Sequence, residues 1–122
     1  MKIRIKGNSL RLRLTKTEVA NFKVNGEIAE QTCVLGGVFH YKLVQDENAT
    51  ELNASWIGSG FQVSVPISLA NQWADSDEVG FQNIQVLPDG TELFLLVEKD
   101  FVCLDNTFED QSDNYPNPNA VC

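Results

Sequence analysis

A chain of 122 residues with an apolar fraction of 43% is long enough for one domain with its own hydrophobic core. The formal net charge of −8 disfavours nucleic acid as a partner. No apolar run approaches the roughly 18 residues of a membrane span, and basic residues interrupt the apolar pattern where a signal peptide needs a continuous core. We therefore expect a cytoplasmic protein without a membrane partner.

The start of the chain has the alternating pattern of a β-hairpin. Apolar and basic side chains alternate over residues 2–6, and leucine alternates with arginine over residues 10–14. Period two is typical of half-buried strands, and residues 7–9 between them have the composition of a turn. We call residues 2–14 the basic hairpin.

A short helix is predicted to follow the basic hairpin. Thr15 and Glu18 have the spacing of a capping box, and Asn25-Gly26 tolerates the left-handed backbone that ends many helices. Strands are predicted over residues 27–34 and 39–43. The first half of the chain is therefore expected to form a ββαββ unit.

The second half repeats this order of elements after a polar loop. Strands are expected over residues 52–56 and 61–65, a helix after Pro66, and two more strands that begin at Val79 and Leu93. The halves align at an offset of 51 positions, which relates Leu10 to Phe61, Leu12 to Val63, Leu14 to Val65, Thr15 to Pro66, Val19 to Ala70, Phe22 to Trp73 and Ile28 to Val79. With three additional residues, Phe39, Tyr41 and Leu43 match Leu93, Leu95 and Val97.

Any two amphipathic strand–helix units look alike, but the shared helix register favours an internal duplication. We predict one domain over residues 1–104 with pseudo-repeats 1–45 and 51–98, followed by an acidic tail over 105–122. The expected fold class is α+β, a mostly antiparallel sheet of about eight strands with two helices. Such strands can close into a barrel. A half-open sheet with both helices on one face is the alternative.

Two segments carry a resemblance to a known family. The start KIRIKGNSLRLRLT and the end LVEKDFVCLD…EDQSDNYPNP resemble a family of short bacterial proteins known as a domain of unknown function. The element order is also similar to the triphosphate tunnel (CYTH-like) fold, whose enzymes use duplicated units and a barrel lined with charged side chains. The acidic Glu-x-Glu-x-Lys signature of that fold is replaced here by Lys2-Ile3-Arg4-Ile5-Lys6.

The basic hairpin is the candidate ligand site. Like charges side by side on a sheet are unfavourable unless something neutralises them, and guanidinium groups suit phosphate or carboxylate. We therefore predict an anion site at four cations, Arg4, Lys6, Arg11 and Arg13. The alternative is a solvated face paired with Glu98, Asp100 or the acidic tail. Glu98-Lys99-Asp100 could also place a catalytic acid or base at the end of a buried strand.

No metal, cofactor or disulfide is expected. Cys33, Cys103 and Cys122 are an odd number at wide spacing, and with His40 they lack the close Cys-x-x-Cys spacing of a zinc site. Cys33 and Cys103 are expected to be buried apolar residues. Residues 105–118 of the tail are expected to fold back so that their acids face the cations of the basic hairpin, anchored by Phe108 and Tyr115.

The sequence is compatible with two classes of function, and the residues leave open whether the protein is an enzyme. The first is a non-enzymatic binding or interaction module that contacts a small anion or a protein through the basic hairpin. The alternative is a tunnel-type phosphate-handling hydrolase. Arginines that face outward would favour the binding module, and arginines that face inward among carboxylates would favour the hydrolase.

Overall fold

A computed structural model describes residues 1–101 and 112–116, and within them the chain forms eight strands and two helices. The α+β class and the order of elements are therefore confirmed. The elements are β1 Lys2–Ile5, β2 Ser9–Leu14, α1 Lys16–Asn25, β3 Glu27–Val34, β4 Gly37–Asp46, β5 Asn53–Ile57, β6 Gly60–Pro66, α2 Ile67–Ala74, β7 Gly80–Val86 and β8 Glu92–Lys99.

The ends of α1 follow from local hydrogen bonding. The Glu18 backbone N–H donates to the Thr15 hydroxyl, and the Glu18 carboxylate accepts from the Thr15 backbone N–H, so the predicted capping box is present. Gly26 closes the helix with φ of 80°, a left-handed conformation that glycine adopts without a steric penalty. The second helix, α2, begins directly after Pro66.

The strands form two four-stranded sheets. The first sheet has the order β1-β2-β8-β7 and the second has the order β3-β4-β6-β5. Each hairpin is antiparallel, but the central pairs β2·β8 and β4·β6 are parallel. The mostly antiparallel pairing that was expected holds for four of these six strand pairs, but the described strands form two separate sheets instead of one, and the barrel that the sequence allowed is not closed. Each helix carries the chain from one sheet to the other, so each sheet combines a hairpin from either half and its central strands run parallel.

Side chains join the two sheets where a barrel would have a backbone ladder. At the β5–β7 edge, the Gln85 amide accepts from the Ala54 N–H at 2.8 Å and donates to the Ala54 carbonyl at 3.2 Å. The Asn83 amide donates to the Leu52 carbonyl at 2.8 Å. These bonds satisfy backbone groups of edge strands without closing the sheet.

The strand registers of the two halves correspond. Leu10 lies opposite Leu95, and the predicted matches Phe61 and Tyr41 also lie opposite each other. Ile28 pairs with Leu43 as Phe81 pairs with Val97, so Phe81 rather than Val79 is the counterpart of Ile28 in the ladder. The matching order and register are features of this fold, and a duplication as their origin stays a prediction.

One hydrophobic core lies between the sheets and under the helices. The inward residues of the central strands are buried, and the helices add Val19, Phe22, Ala70 and Trp73. Phe22 and Trp73 meet edge to face with ring centroids 6.4 Å apart. Because each helix follows the carboxyl end of a central strand, both helices close the same end of the sandwich. Within the described residues, neither helix is long and apolar enough to cross a bilayer.

Candidate functional site

The arginines of the basic hairpin lie on the outer face of the first sheet. Arg11 and Arg13 alternate with Leu12 and Leu14, which are buried in the core. Arg4 lies directly opposite Arg11 in the antiparallel pair. The structure therefore brings these three predicted site residues to one outward face. Lys6 follows β1 in the exposed turn.

Glu98 is the acidic residue beside these arginines. It lies opposite Arg13 in the parallel β2·β8 pair. Its Oε1 accepts from Arg11 Nε at 2.6 Å and from Arg13 Nε at 2.7 Å, and it lies 2.5 Å from Arg11 Nη2. The Glu98 side chain is only 13% exposed, so these charge-assisted bonds are partly shielded from water. One carboxylate oxygen thus serves both arginines.

Asp100, the other predicted acidic partner, contacts a different cation. Its Oδ2 lies 3.1 Å from Lys2 Nζ, close enough for an ion pair. That oxygen is buried, and no donor among the described residues is aligned to hydrogen-bond it. The Asp100 backbone N–H donates to the Leu14 carbonyl, and its carbonyl accepts from the Tyr115 N–H. Asp100 therefore anchors the tail rather than the arginines.

The segment 112–116 does fold back onto the body, but at the helix rather than at the basic hairpin. The Asp113 carbonyl accepts from the Lys16 N–H at 3.0 Å, and its carboxylate accepts from the Thr17 hydroxyl at 3.0 Å. The first turn of a helix offers N–H groups without intrahelical partners and favours negative charge. Hydrogen bonds from the hydroxyls of Thr15 and Thr17 lower the pKa of Asp113.

Tyr115 packs beside this contact. Its ring meets Phe101 with centroids 5.6 Å apart, and Lys99 Nζ lies 5.2 Å from the ring centroid. The expectation that tail acids neutralise the basic hairpin is thus wrong for Asp113. Phe108 and the acids Asp105, Glu109 and Asp110 lie outside the described residues.

Glu98, Lys99 and Asp100 do not converge on an acid–base centre. Glu98 faces outward, whereas Lys99 follows the inward residues Leu95 and Val97 and is buried. Lys99 Nζ donates to the Ser76 carbonyl at 2.6 Å, which ties β8 to the loop after α2. Burial lowers the pKa of Lys99, although nearby Asp77 and Glu78 raise it.

Cys33 and His40 lie away from these charges. Cys33 is a free thiol on the exposed edge strand β3, so the expectation that it is buried is wrong. This end of β3 lies outside the core, since Thr32 and Val34 on either side of Cys33 are also exposed. His40 is exposed on β4, and its Nδ1 lies 2.6 Å from Ser59 Oγ. Cys103 and Cys122 lie outside the described residues.

The structure also contains an apolar cavity that the sequence patterns did not predict. It has a volume of about 430 Å³ and lies between the sheets at the end opposite the helices. Phe39, Trp56 and Phe61 form one wall, and Ile5, Leu10 and Leu93 form the other. Period-two patterns identified most of these side chains as inward-facing, but they could not show that the space between them stays unfilled.

The second sheet has neutral residues at the positions that correspond to Arg11, Arg13 and Glu98, which we call the arginine cluster. Gln62 and Ser64 follow Arg11 and Arg13 by 51 positions, and Ser64 lies opposite Val44 as Arg13 lies opposite Glu98. The Gln62 amide donates to the Ser64 hydroxyl at 3.3 Å. The same ladder geometry therefore exists once with charges and once without them.

A family model described as a family of unknown function, DUF7009, matches residues 1–119. The match covers both segments that carry the resemblance and extends over most of the predicted acidic tail. No curated protein and no solved structure matches the chain.

Proposed function

The chain belongs to the DUF7009 family, and we propose that it is a non-enzymatic binding module that holds an anionic group on the outer face of its first sheet. The contact residues are Arg4, Lys6, Arg11 and Arg13. The group bound is a carboxylate or a phosphate, carried by a small anion or by a protein.

The neutral counterpart of the cluster in the second sheet is the observation that carries this proposal. Gln62, Ser64 and Val44 occupy the ladder positions that Arg11, Arg13 and Glu98 occupy in the first sheet. Because the second sheet forms without charges there, the fold itself does not require the arginines. Two cations directly opposite each other, such as Arg4 and Arg11, are in addition unfavourable for the sheet.

The arginines retain donors for a ligand. A guanidinium group has five N–H donors in a planar fork, and the contacts with Glu98 use Nε and Nη2 of Arg11 and Nε of Arg13. The remaining N–H groups suit bidentate binding of a planar carboxylate or a phosphate. The chain has 17 acidic and 9 basic residues, so its net charge is negative. The outer face of the first sheet, by contrast, gathers positively charged side chains.

The tunnel-type hydrolase alternative needs the basic side chains inside. The inward positions of β2 and β8 are instead apolar over Leu12, Leu14, Leu95 and Val97. No contact in the described part of the chain favours hydrolysis, so the binding module is the function that the geometry supports best.

The test replaces residues of the first sheet with those found at the corresponding positions of the second sheet. Wild type, Arg11→Gln/Arg13→Ser and Glu98→Val are titrated with inorganic phosphate and with citrate at two salt concentrations. Removal of both arginines should weaken binding at least tenfold, because two guanidinium contacts are lost. Glu98→Val should strengthen binding, because the competing carboxylate is absent.

The control variant Lys23→Gln/Lys42→Gln removes the same charge from other parts of the surface. It should bind as the wild type does. Equal weakening in both double variants would mean that the anion responds only to net charge, and the proposal would then fail.

A further inference from the structure

We infer that the open end of the sandwich is a binding site for a small uncharged molecule that carries an aromatic or other flat apolar ring. The site is the cavity of about 430 Å³ between the two sheets. This site is separate from the proposed anion site on the outer face of the first sheet, because Leu10 of the cavity and Arg11 of the arginine cluster point to opposite sides of β2.

The two sheets offer walls of different chemistry. The second sheet contributes three aromatic residues, Phe39, Trp56 and Phe61, and the first sheet contributes Ile5, Leu10 and Leu93. The rings of Phe39 and Phe61 contact each other edge to face, with their centroids 5.8 Å apart. An aromatic wall opposite an aliphatic wall suits a flat ring that stacks on one side and fits against methyl groups on the other.

The volume fits a ligand of more than one ring. Small-molecule sites in proteins have volumes of about 300–1,000 Å³, and an apolar cavity of about 150 Å³ binds benzene. A cavity of about 430 Å³ therefore has room for a molecule two to three times the size of benzene.

At the open end of the sandwich, side chains that point toward the space between the sheets remain exposed to solvent. Trp56 is 71% exposed and Ile5 is 57% exposed, although Trp56 lies opposite buried Phe61 and Ile5 lies opposite Leu10. Trp56 follows Ile5 by 51 positions, so both occupy corresponding places in the two halves. At the other end, the corresponding residues Phe22 and Trp73 are fully buried between the sheets and contact each other edge to face.

Two of the three polar side chains of the lining, Asn8 and Ser9, donate hydrogen bonds within the chain, and the third, Ser55, is exposed. The Asn8 amide donates to the Glu92 carbonyl at 2.7 Å, and the Ser9 hydroxyl donates to the Lys6 carbonyl at 2.6 Å. Among the residues that the structure describes, no charged side chain lines the cavity. A charged group on the ligand would be desolvated there without a partner, which is unfavourable. The ligand part inside the cavity is therefore neutral.

The experiment uses N-phenyl-1-naphthylamine, a neutral two-ring fluorophore with an attached phenyl group, on the full chain. We expect saturable binding of one probe per chain with energy transfer from tryptophan. Trp56→Ser should weaken binding at least tenfold, because it removes part of the aromatic wall. The side chain is mostly exposed, so the variant should still fold.

Ile57→Ser is the matched control. Ile57 is the next residue on β5, is 48% exposed, and faces the outer side of the second sheet opposite Gly60. It should leave probe binding unchanged. Leu93→Trp, by contrast, fills the cavity from the other wall and should abolish probe binding, with circular dichroism as the check on folding.

Two results would overturn the inference. Equal probe binding by wild type, Trp56→Ser and Ile57→Ser would show nonspecific adsorption. Concentration-dependent dimers in sedimentation, lost in Trp56→Ser and accompanied by no probe binding, would show that the open end is a contact between copies of this chain.

Discussion

The two ends of the sandwich use corresponding residues in opposite ways. At the helical end, Phe22 and Trp73 correspond between the halves, meet at 6.4 Å and are both 0% exposed. At the open end, Ile5 and Trp56 also correspond but remain mostly exposed around a cavity. A core that is nearly symmetric in strand register is thus closed at one end only.

The difference arises from the segments that connect the strands at each end. The carboxyl ends of β2 and β6 lead into helices whose buried aromatic residues fill the gap between the sheets. The opposite end has turns and short loops, among them residues 6–8, 58–59 and 87–91, and of the large side chains in these three only Leu87 borders the cavity. Packing stability should therefore concentrate at the helical end, and capacity for a ligand at the open end.

Replacing each tryptophan separately with alanine should produce the largest difference in stability between the two ends. Trp73→Ala should lower the free energy of unfolding by about 3–5 kcal/mol, because it opens a large cavity in the core. It also removes the indole bond to the Val79 carbonyl at 3.1 Å and the edge contact with Phe81 at 5.2 Å. Trp56→Ala should change stability by no more than about 0.5 kcal/mol.

Urea denaturation monitored by far-ultraviolet circular dichroism measures both effects without relying on tryptophan emission. Similar losses for the two variants would mean that the open end is as tightly packed as the helical end, and the contrast between the two ends would then not hold.

Removal of the Tyr115 ring should have an intermediate effect, again at the helical end. Tyr115→Ala should lower the free energy of unfolding by about 1–2 kcal/mol, because the half-buried ring loses its contact with Phe101. Tyr115→Phe keeps the ring and should stay within about 0.5 kcal/mol of wild type. Thermal unfolding of the three proteins is the measurement, and equal stability of all three would show that the tail contributes nothing to the fold.

Local patterns made most of the elements predictable. The alternation of Leu10, Leu12 and Leu14 with arginine predicted β2, and Thr15, Glu18 and Gly26 predicted both ends of α1. Such signals depend on neighbours in the chain, and hydrogen bonds between neighbours then form as expected.

Strand partners were not predictable in the same way. Period two shows which face of a strand is buried, but it does not show which strand lies beside it, so the parallel pairs β2·β8 and β4·β6 were missed. The candidate site shows both cases. Alternation placed Arg11 and Arg13 on one face of β2 but left open whether that face points inward or outward, which the burial of Leu12 and Leu14 shows. Glu98 was expected only as one of several acids, and it is the β2·β8 register that places it opposite Arg13.

The smallest expected effect is the pH dependence of the tail contact at the helical end. Hydrogen bonds from Thr15 and Thr17 lower the pKa of Asp113 from its ordinary value of 3.8. The contribution of this carboxylate to stability is therefore present above pH 3.8 and is lost as the pH falls through the lower pKa of the folded state. Asp113→Asn should be slightly less stable than wild type at pH 7, and the difference should vanish below that lower pKa.

Asp89 lies in a turn at the open end, where the Thr91 backbone lowers its pKa, and this local contact holds no second segment. Titration of Asp113 should thus move the NMR signals of Tyr115, whereas titration of Asp89 should not. Unfolding measured from pH 7 downward with both Asp→Asn variants separates the two carboxylates. A wild-type profile that Asp113→Asn leaves unchanged would contradict a charged contact between the tail and α1.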